Sequence, residues 1–295
     1  MNKQPSLMEN PVVEVGQFER NAGPSERWMS EVEAGKVLYF PNLPFELLAA
    51  EQVLLRPDLR AARSRNISLG PDGRLKGAAG DLQQQAALTE MLLRFRGQAE
   101  QLVHTLFPRY QAALRMGNCS FRPAEVEGRQ QSLRANDRLL HVDAFPSRPN
   151  RGERILRVFS NINPVGAPRV WRLGEPFDVL ARRFLPQARP YSAWQARWLH
   201  KLGITKSLRS EYDHLMLELH DSMKSDPHYQ QRGQQLSMAF PPGSTWVCFS
   251  DQTAHAAMSG QYMLEQTLHL PAQSQGNPDT SPLAILTRIK GHALV

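Results

Sequence analysis

The residues with the clearest chemistry are His141, Asp143 and His255. Two imidazoles and one carboxylate make a facial ligand set for a redox-active metal, leaving coordination positions open for a chelating cosubstrate and dioxygen. In an extended segment, residues two apart project to the same side, so Arg138-Leu139-Leu140-His141-Val142-Asp143 can offer His141 and Asp143 to one ion while Leu140 and Val142 face away. The second imidazole has to arrive from a distant part of the chain.

A His-x-Asp triplet is common by chance, and the surroundings of His255 give it weight. Pro241-Pro242-Gly243-Ser244 predicts a turn, Thr245 to Phe249 a strand, Asp251 to Ala254 a connection into His255, and Ser259-Gly260 a turn into the last strong strand. The remaining histidines offer less. His214 and His220 are spaced so that a helix places them on different faces, and His104, His200, His228, His269 and His292 lack partnered ligands.

The elements that must position these groups can be read from periodicity. Residues 1–33 are polar and aperiodic, which predicts a loosely ordered arm, and 34–295 reads as a single domain. A strand near Lys36 to Phe40, a short helix over 46–55 and a hairpin over Ile67 to Gly77, turning at Gly70-Pro71-Asp72-Gly73, come first. Apolar residues at three- and four-residue spacing from Leu82 to Leu106 predict the longest helix, started by Asp81 and stopped by Pro108. Short strands follow at Met116 to Arg122, Leu139 to Ala144, Ile155 to Ile162 and Val170 to Leu173, then resume at Leu236 to Ala239, Ser244 to Ser250 and Gln261 to Leu270. Between them, about 177–230, the pattern is helical: Phe177 to Phe184, Ser192 to Leu202 and Tyr212 to Met223. The expected class is therefore α+β, with a jelly-roll core over about 116–270, helices packed outside, and a helical insertion between core strands.

The balance of 35 Lys plus Arg against 28 Asp plus Glu gives a net charge of +7, which favours an anionic partner: nucleic acid, phospholipid headgroups or a phosphorylated glycolipid. Basic residues interleaved with aromatic stacking platforms are sparse, which argues against nucleic acid. The insertion carries Arg182, Arg183, Arg189, Arg197, Lys201, Lys206 and Arg209, either a solvated face or a rim that guides an anionic substrate. With only Cys119 and Cys248, neither a disulfide framework nor a thiolate zinc site is expected, and a reducing, cytoplasmic setting is. No apolar run approaches the roughly 20 residues that span a bilayer, so membrane contact is expected to be peripheral.

His141-x-Asp143 followed by His255 among short strands resembles the iron(II)- and 2-oxoglutarate-dependent dioxygenase superfamily over about Met116 to Leu270. The resemblance implies a double-stranded β-helix of jelly-roll type, Fe(II) held by His141, Asp143 and His255, 2-oxoglutarate as cosubstrate, and O2. Members often bind the distal carboxylate of 2-oxoglutarate with a cation shortly after the second histidine. Here that region reads Leu264-Glu265-Gln266-Thr267, without one. Other branches place the basic residue on the strand after His-x-Asp. That implicates Arg157, sharing a strand face with Asn161, or Arg154 as the alternate, with Gln266 either supporting the cosubstrate or making a structural hydrogen bond.

At family level, HVDAFPSRPNRGERILRVFSNINP from His141, together with SDQTAHAAMSGQYMLEQT from Ser250, resembles the bacterial Kdo hydroxylases. That resemblance implies hydroxylation at C3 of 3-deoxy-D-manno-oct-2-ulosonic acid (Kdo) in the lipid A inner core. It also implies an anionic Kdo-containing lipid A as substrate, met by peripheral contact with the inner membrane. The competing readings are a protein or nucleic-acid oxygenase of the same superfamily and a non-catalytic β-barrel binding module.

Overall fold

The computed structural model describes residues 9–16, 26–128 and 131–295. In chain order they form β1 (Val12–Glu14), α1 (Glu26–Glu33), β2 (Val37–Phe40), β3 (Ile67–Leu69), β4 (Leu75–Lys76), α2 (Leu82–Leu106), β5 (Arg115–Arg122), β6 (Arg154–Asn161) and β7 (Arg169–Leu173). Then come α3 (Phe177–Phe184), α4 (Ala193–Lys201), α5 (Glu211–Ser225), α6 (Pro227–Arg232), β8 (Leu236–Phe240), β9 (Thr245–Phe249), β10 (His255–Ser259), β11 (Met263–Leu270) and α7 (Pro282–Lys290). The fold is mixed α+β. Eight strands make one sheet in the order β1-β2-β9-β6-β11-β5-β3-β4, and three make a second in the order β10-β7-β8.

Helix α2 starts where its cap dictates. Asp81 accepts the Gln84 N–H at 2.8 Å and the Gln84 side chain accepts the Asp81 N–H at 3.1 Å, so two otherwise orphaned donors are satisfied. Its apolar stripe, including Leu88, Leu92, Phe95 and Leu106, packs with Leu156, Val158, Leu264 and Leu268 from β6 and β11. Strand alternation then turns Arg157, Phe159 and Glu265 to the opposite face of the large sheet. There the aromatic side chains of both sheets meet. Phe159 of β6 lies edge-on to Trp171 of β7 at 4.9 Å, and Phe240 of β8 stacks on Trp246 of β9 at 4.2 Å.

A third cluster brings α3, α5 and α7 over Leu140, Val142, Ala254 and Ala256. Leu140 and Val142 thus face the helices, as their parity demands, and His141 and Asp143 are presented the other way. Every helix from α3 to α6 falls between β7 and β8 in the chain.

Several expectations need correction. The strand expected over Leu139 to Ala144 is reduced to a single bridge, His141 to His255, whereas a full strand, β10, begins at His255. The helix expected over 46–55 is a 3-10 helix over Ala49–Leu54. The large sheet reaches well beyond 116–270, since β1 to β4 extend both of its edges. Within the arm expected over 1–33, β1 pairs in parallel with β2 and α1 ends on a buried Glu33. That carboxylate accepts the Tyr110 hydroxyl at 2.6 Å and the backbone N–H groups of Gly276 and Asn277 at 2.6 and 2.7 Å. A polar, aperiodic segment is held by tertiary hydrogen bonds that no local period records; 1–8 and 17–25 lie outside the described residues.

Candidate metal centre

His141 and His255 face each other across their bridge and exchange both backbone N–H···O bonds, at 3.1 and 2.9 Å. The same pairing sets the two rings 4.8 Å apart. Asp143 is fixed two residues further on, its N–H donating to the Ser250 carbonyl at 2.8 Å. One ligand atom from each of His141, Asp143 and His255 then lies within 4.8 Å of the others.

The imidazoles are locked in one tautomer. Nδ1 of His141 lies 2.7 Å from the Leu139 carbonyl and Nδ1 of His255 lies 2.8 Å from that of Thr253. A carbonyl only accepts, so each Nδ1 carries the proton and each Nε2 presents a lone pair. Burial, reinforced at His141 by the neighbouring His255, lowers both imidazole pKa values and favours the neutral, ligating form. Trp171 stacks on His255 at 5.0 Å, and His220 of α5 sets its ring edge-on to His141 at 5.4 Å.

Asp143 is kept ionised by a cation at its back. Burial alone would raise its pKa; the Arg157 guanidinium outweighs burial and holds the carboxyl below the usual carboxylate range. Arg157 reaches Asp143 Oδ2 at 2.9 Å with one terminal nitrogen and donates to Glu265 at 2.6 Å with the other. The Asp143 approach is an ion pair without hydrogen-bond alignment, because Oδ2 is buried with no hydrogen-bond partner. Two bare imidazole nitrogens and an under-satisfied buried carboxylate are a donor set that a divalent cation completes.

The cavity beside these ligands, about 50 Å³, is lined by Arg122, Arg157 and Arg169 and by Asp137, Asp143 and Glu265, with Phe159, Trp171 and Met263 as its apolar wall. Three guanidiniums balance three carboxylates, so a divalent metal would leave two positive charges for an incoming dianion. Arg122, Arg169 and Glu265 escape sequence reasoning because strands β5, β7 and β11 bring them together only through long-range register. Glu265 stands opposite Phe159 on β6 and opposite Ser120 on β5.

Of the cosubstrate candidates, only Arg157 lines this cavity. Arg154 points to the other face of β6, where it is fully buried and donates to Asp251, Gln275 and Gln252 at 2.8, 2.6 and 2.5 Å. Gln266 shares that other face with Leu264 and Leu268, and its amide nitrogen donates to the Thr267 carbonyl at 2.6 Å. Asn161 braces the following loop: its amide donates to Ala167 and Phe240 carbonyls and its oxygen accepts from the Asn163 N–H.

A groove of about 740 Å³ opens from Asp143, Arg157 and Glu265 toward the surface. Its further cations are Arg65 from the segment before β3, Lys76 of β4, Arg115 and Arg122 from β5, and Arg148 from the loop after Asp143. None of the basic residues of the helical stretch over 177–230 lines it. Arg183 and Arg189 are instead paired with Glu175 and Glu218. Among the described residues, no helix is long and apolar enough to cross a membrane.

The model of the 3-deoxy-D-manno-oct-2-ulosonic acid (Kdo) hydroxylase family matches residues 16–293. Among solved structures, the apo form of the Kdo hydroxylase KdoO is similar at 43% identity, covering 97% of each chain with a TM-score of 0.92. The cobalt(II) complex of KdoO, described as a non-heme Fe(II) α-ketoglutarate-dependent dioxygenase, gives the same values. Its complex with α-ketoglutarate and Fe(III) gives a TM-score of 0.91 at the same identity and coverage. No curated protein matches the chain.

Proposed function

The chain belongs to the Kdo hydroxylase family, and from that membership we propose that it hydroxylates Kdo at C3 within the lipid A inner core, working from the cytoplasmic side of the inner membrane. It is an Fe(II)- and 2-oxoglutarate-dependent dioxygenase. The observation that carries the substrate reading is the similarity to KdoO along nearly the whole of both chains. We read the two facing sheets as the superfamily's double-stranded β-helix. The direct test compares lipid A cores from cells with and without the protein by mass spectrometry: one added oxygen on Kdo is expected, and an unchanged core would refute the substrate assignment.

In this reading His141, Asp143 and His255 hold the iron. When bound, Fe(II) supplies the redox chemistry that couples oxidative decarboxylation of 2-oxoglutarate, to succinate and CO2, with replacement of an unactivated C–H hydrogen by hydroxyl. The chain supplies the setting. Leu139 and Thr253 carbonyls fix the ligand tautomers, Arg157 holds Asp143 as a carboxylate, and Phe159, Trp171 and Met263 keep bulk water from the reacting atoms. The guanidiniums of Arg122, Arg157 and Arg169 receive the carboxylate charge of the cosubstrate.

Arg157 and Arg169 are separable. Arg157→Gln releases Asp143 and is expected to weaken Co(II) binding about 10- to 100-fold, the usual effect of losing an outer-shell partner, as well as raising the 2-oxoglutarate requirement. Arg169→Gln is expected to raise the 2-oxoglutarate KM with Co(II) affinity unchanged. An unchanged KM in both would move the anchoring role to Arg122.

Along the groove, Arg65, Arg115, Arg122 and Arg157 all pair with carboxylates. Arg148 and Lys76 are exposed and form no ion pair among the described residues. These two cations are placed to meet the carboxylate or phosphate groups of the substrate. Arg148→Glu or Lys76→Glu is expected to raise the KM for a Kdo-bearing acceptor about tenfold, with the 2-oxoglutarate KM unaffected; steady-state kinetics with each substrate varied in turn decides.

A further inference from the structure

From Ser192 to Arg209 the chain contains no acidic residue and four cations, Arg197, Lys201, Lys206 and Arg209. The same stretch exposes Trp194 (69%), Trp198 (44%), Leu202 (65%), Ile204 (54%) and Leu208 (40%). Single exposed apolar residues are ordinary, but five of the fourteen large ones among the described residues fall here. Helix α4 buries only Ala196. On its outer side Trp194 and Trp198, one turn apart, meet edge to face at 5.9 Å, and the Lys201 ammonium lies 5.4 Å from the Trp198 ring.

The segment is anchored to the body of the protein. Thr205 is buried and the Tyr191 hydroxyl donates to the Arg209 carbonyl at 2.8 Å. It is also tied to one wall of the groove. The Lys206 N–H donates to the Ser147 carbonyl at 2.9 Å and the Arg209 guanidinium to the Pro146 carbonyl at 2.8 Å, beside groove residues Phe145, Arg148 and Pro149.

Indole rings suit the headgroup level of a bilayer, with an apolar body and a polar N–H edge, while Lys and Arg stems lie along apolar surface and leave the charge in water. Each cation held near an anionic leaflet adds an attraction that salt screens. We infer that α4 and the loop over 202–208 form a shallow anchor for an anionic phospholipid surface. The anchor brings the groove wall to the bilayer, where a lipid-linked acceptor would reside; that last clause rests on the substrate reading above, and the anchor itself does not.

The test is co-sedimentation of the full chain with vesicles of phosphatidylcholine alone or mixed with phosphatidylglycerol, with hydroxylation of a water-soluble Kdo oligosaccharide followed separately. The wild type is expected to pellet with the anionic vesicles, to be released by salt, and to show tryptophan quenching by brominated lipid. The doubly substituted variants W194S/W198S and R197E/K201E change exposed positions and are expected to bind about tenfold more weakly or worse, with oligosaccharide turnover unchanged. Wild-type protein left in the supernatant with both vesicle types would overturn the anchor and leave the patch to a protein partner. Undiminished binding by both variants would overturn it equally. Vesicle binding that depends on these residues, without oligosaccharide turnover, would leave the anchor standing and count against the substrate reading alone.

Discussion

Asp143→Ala is expected to abolish coupled succinate formation, to below about one thousandth of the wild-type rate, a barrier increase of ~4 kcal/mol or more. The carboxylate is the only anionic member of the triad, and its removal also leaves Arg157 facing the metal position with Glu265 as its remaining counter-ion. A cation would then meet two neutral imidazoles and a guanidinium. His141→Ala and His255→Ala are expected to be as severe, since each removes one of the two Nε2 donors. All three should keep their secondary structure by circular dichroism and lose Co(II) binding by calorimetry. Full activity in any one of them would remove that residue from the site.

The second large effect is on stability. Arg154→Met is expected to cost about 3–5 kcal/mol of folding free energy, because it strands a carboxylate in the interior. Arg154 and Asp251 are both fully buried and joined at 2.8 Å. The guanidinium also lies over the Phe249 ring at 3.9 Å, and the other Asp251 oxygen accepts the Ile155 N–H at 3.1 Å. The loop that delivers His255 is thereby stapled to β6. Urea unfolding measures the loss, and the 2-oxoglutarate KM of the folded fraction is expected to stay at the wild-type value. Unchanged stability with a raised KM would assign Arg154 to the cosubstrate.

Arg154 and Arg157 show where sequence reasoning stops. They lie three residues apart on one strand, so alternation puts them on opposite faces, and either face could have been the inner one. The choice is made by α2, whose apolar stripe covers the face carrying Leu156, Val158 and Gln266. The hairpin, α2, β6 and the helices after β7 were legible because their signals are local: a Gly-Pro-Asp-Gly turn, a capping residue, a period. The bridge between His141 and His255, the buried Glu33 beneath Gly276 and Asn277, and the pairing of Glu265 with Arg157 and Arg122 join distant parts of the chain. No window of sequence contains them. The triad itself was readable because its chemistry lies in residue types, and the groove's cations were not, because Arg65, Lys76, Arg115, Arg122 and Arg148 come from separate segments that only the fold brings to one wall.

The central claim is that the triad directs one atom of dioxygen onto Kdo at the expense of 2-oxoglutarate. Purified protein incubated with Fe(II), 2-oxoglutarate, Kdo-bearing lipid A and isotopically heavy dioxygen, with the product analysed by fragmentation mass spectrometry, tests it most directly. The account predicts one heavy oxygen at C3 of Kdo for each succinate released, and neither product with Asp143→Ala. Succinate released without oxygen on the sugar, or a hydroxyl derived from water, would contradict it.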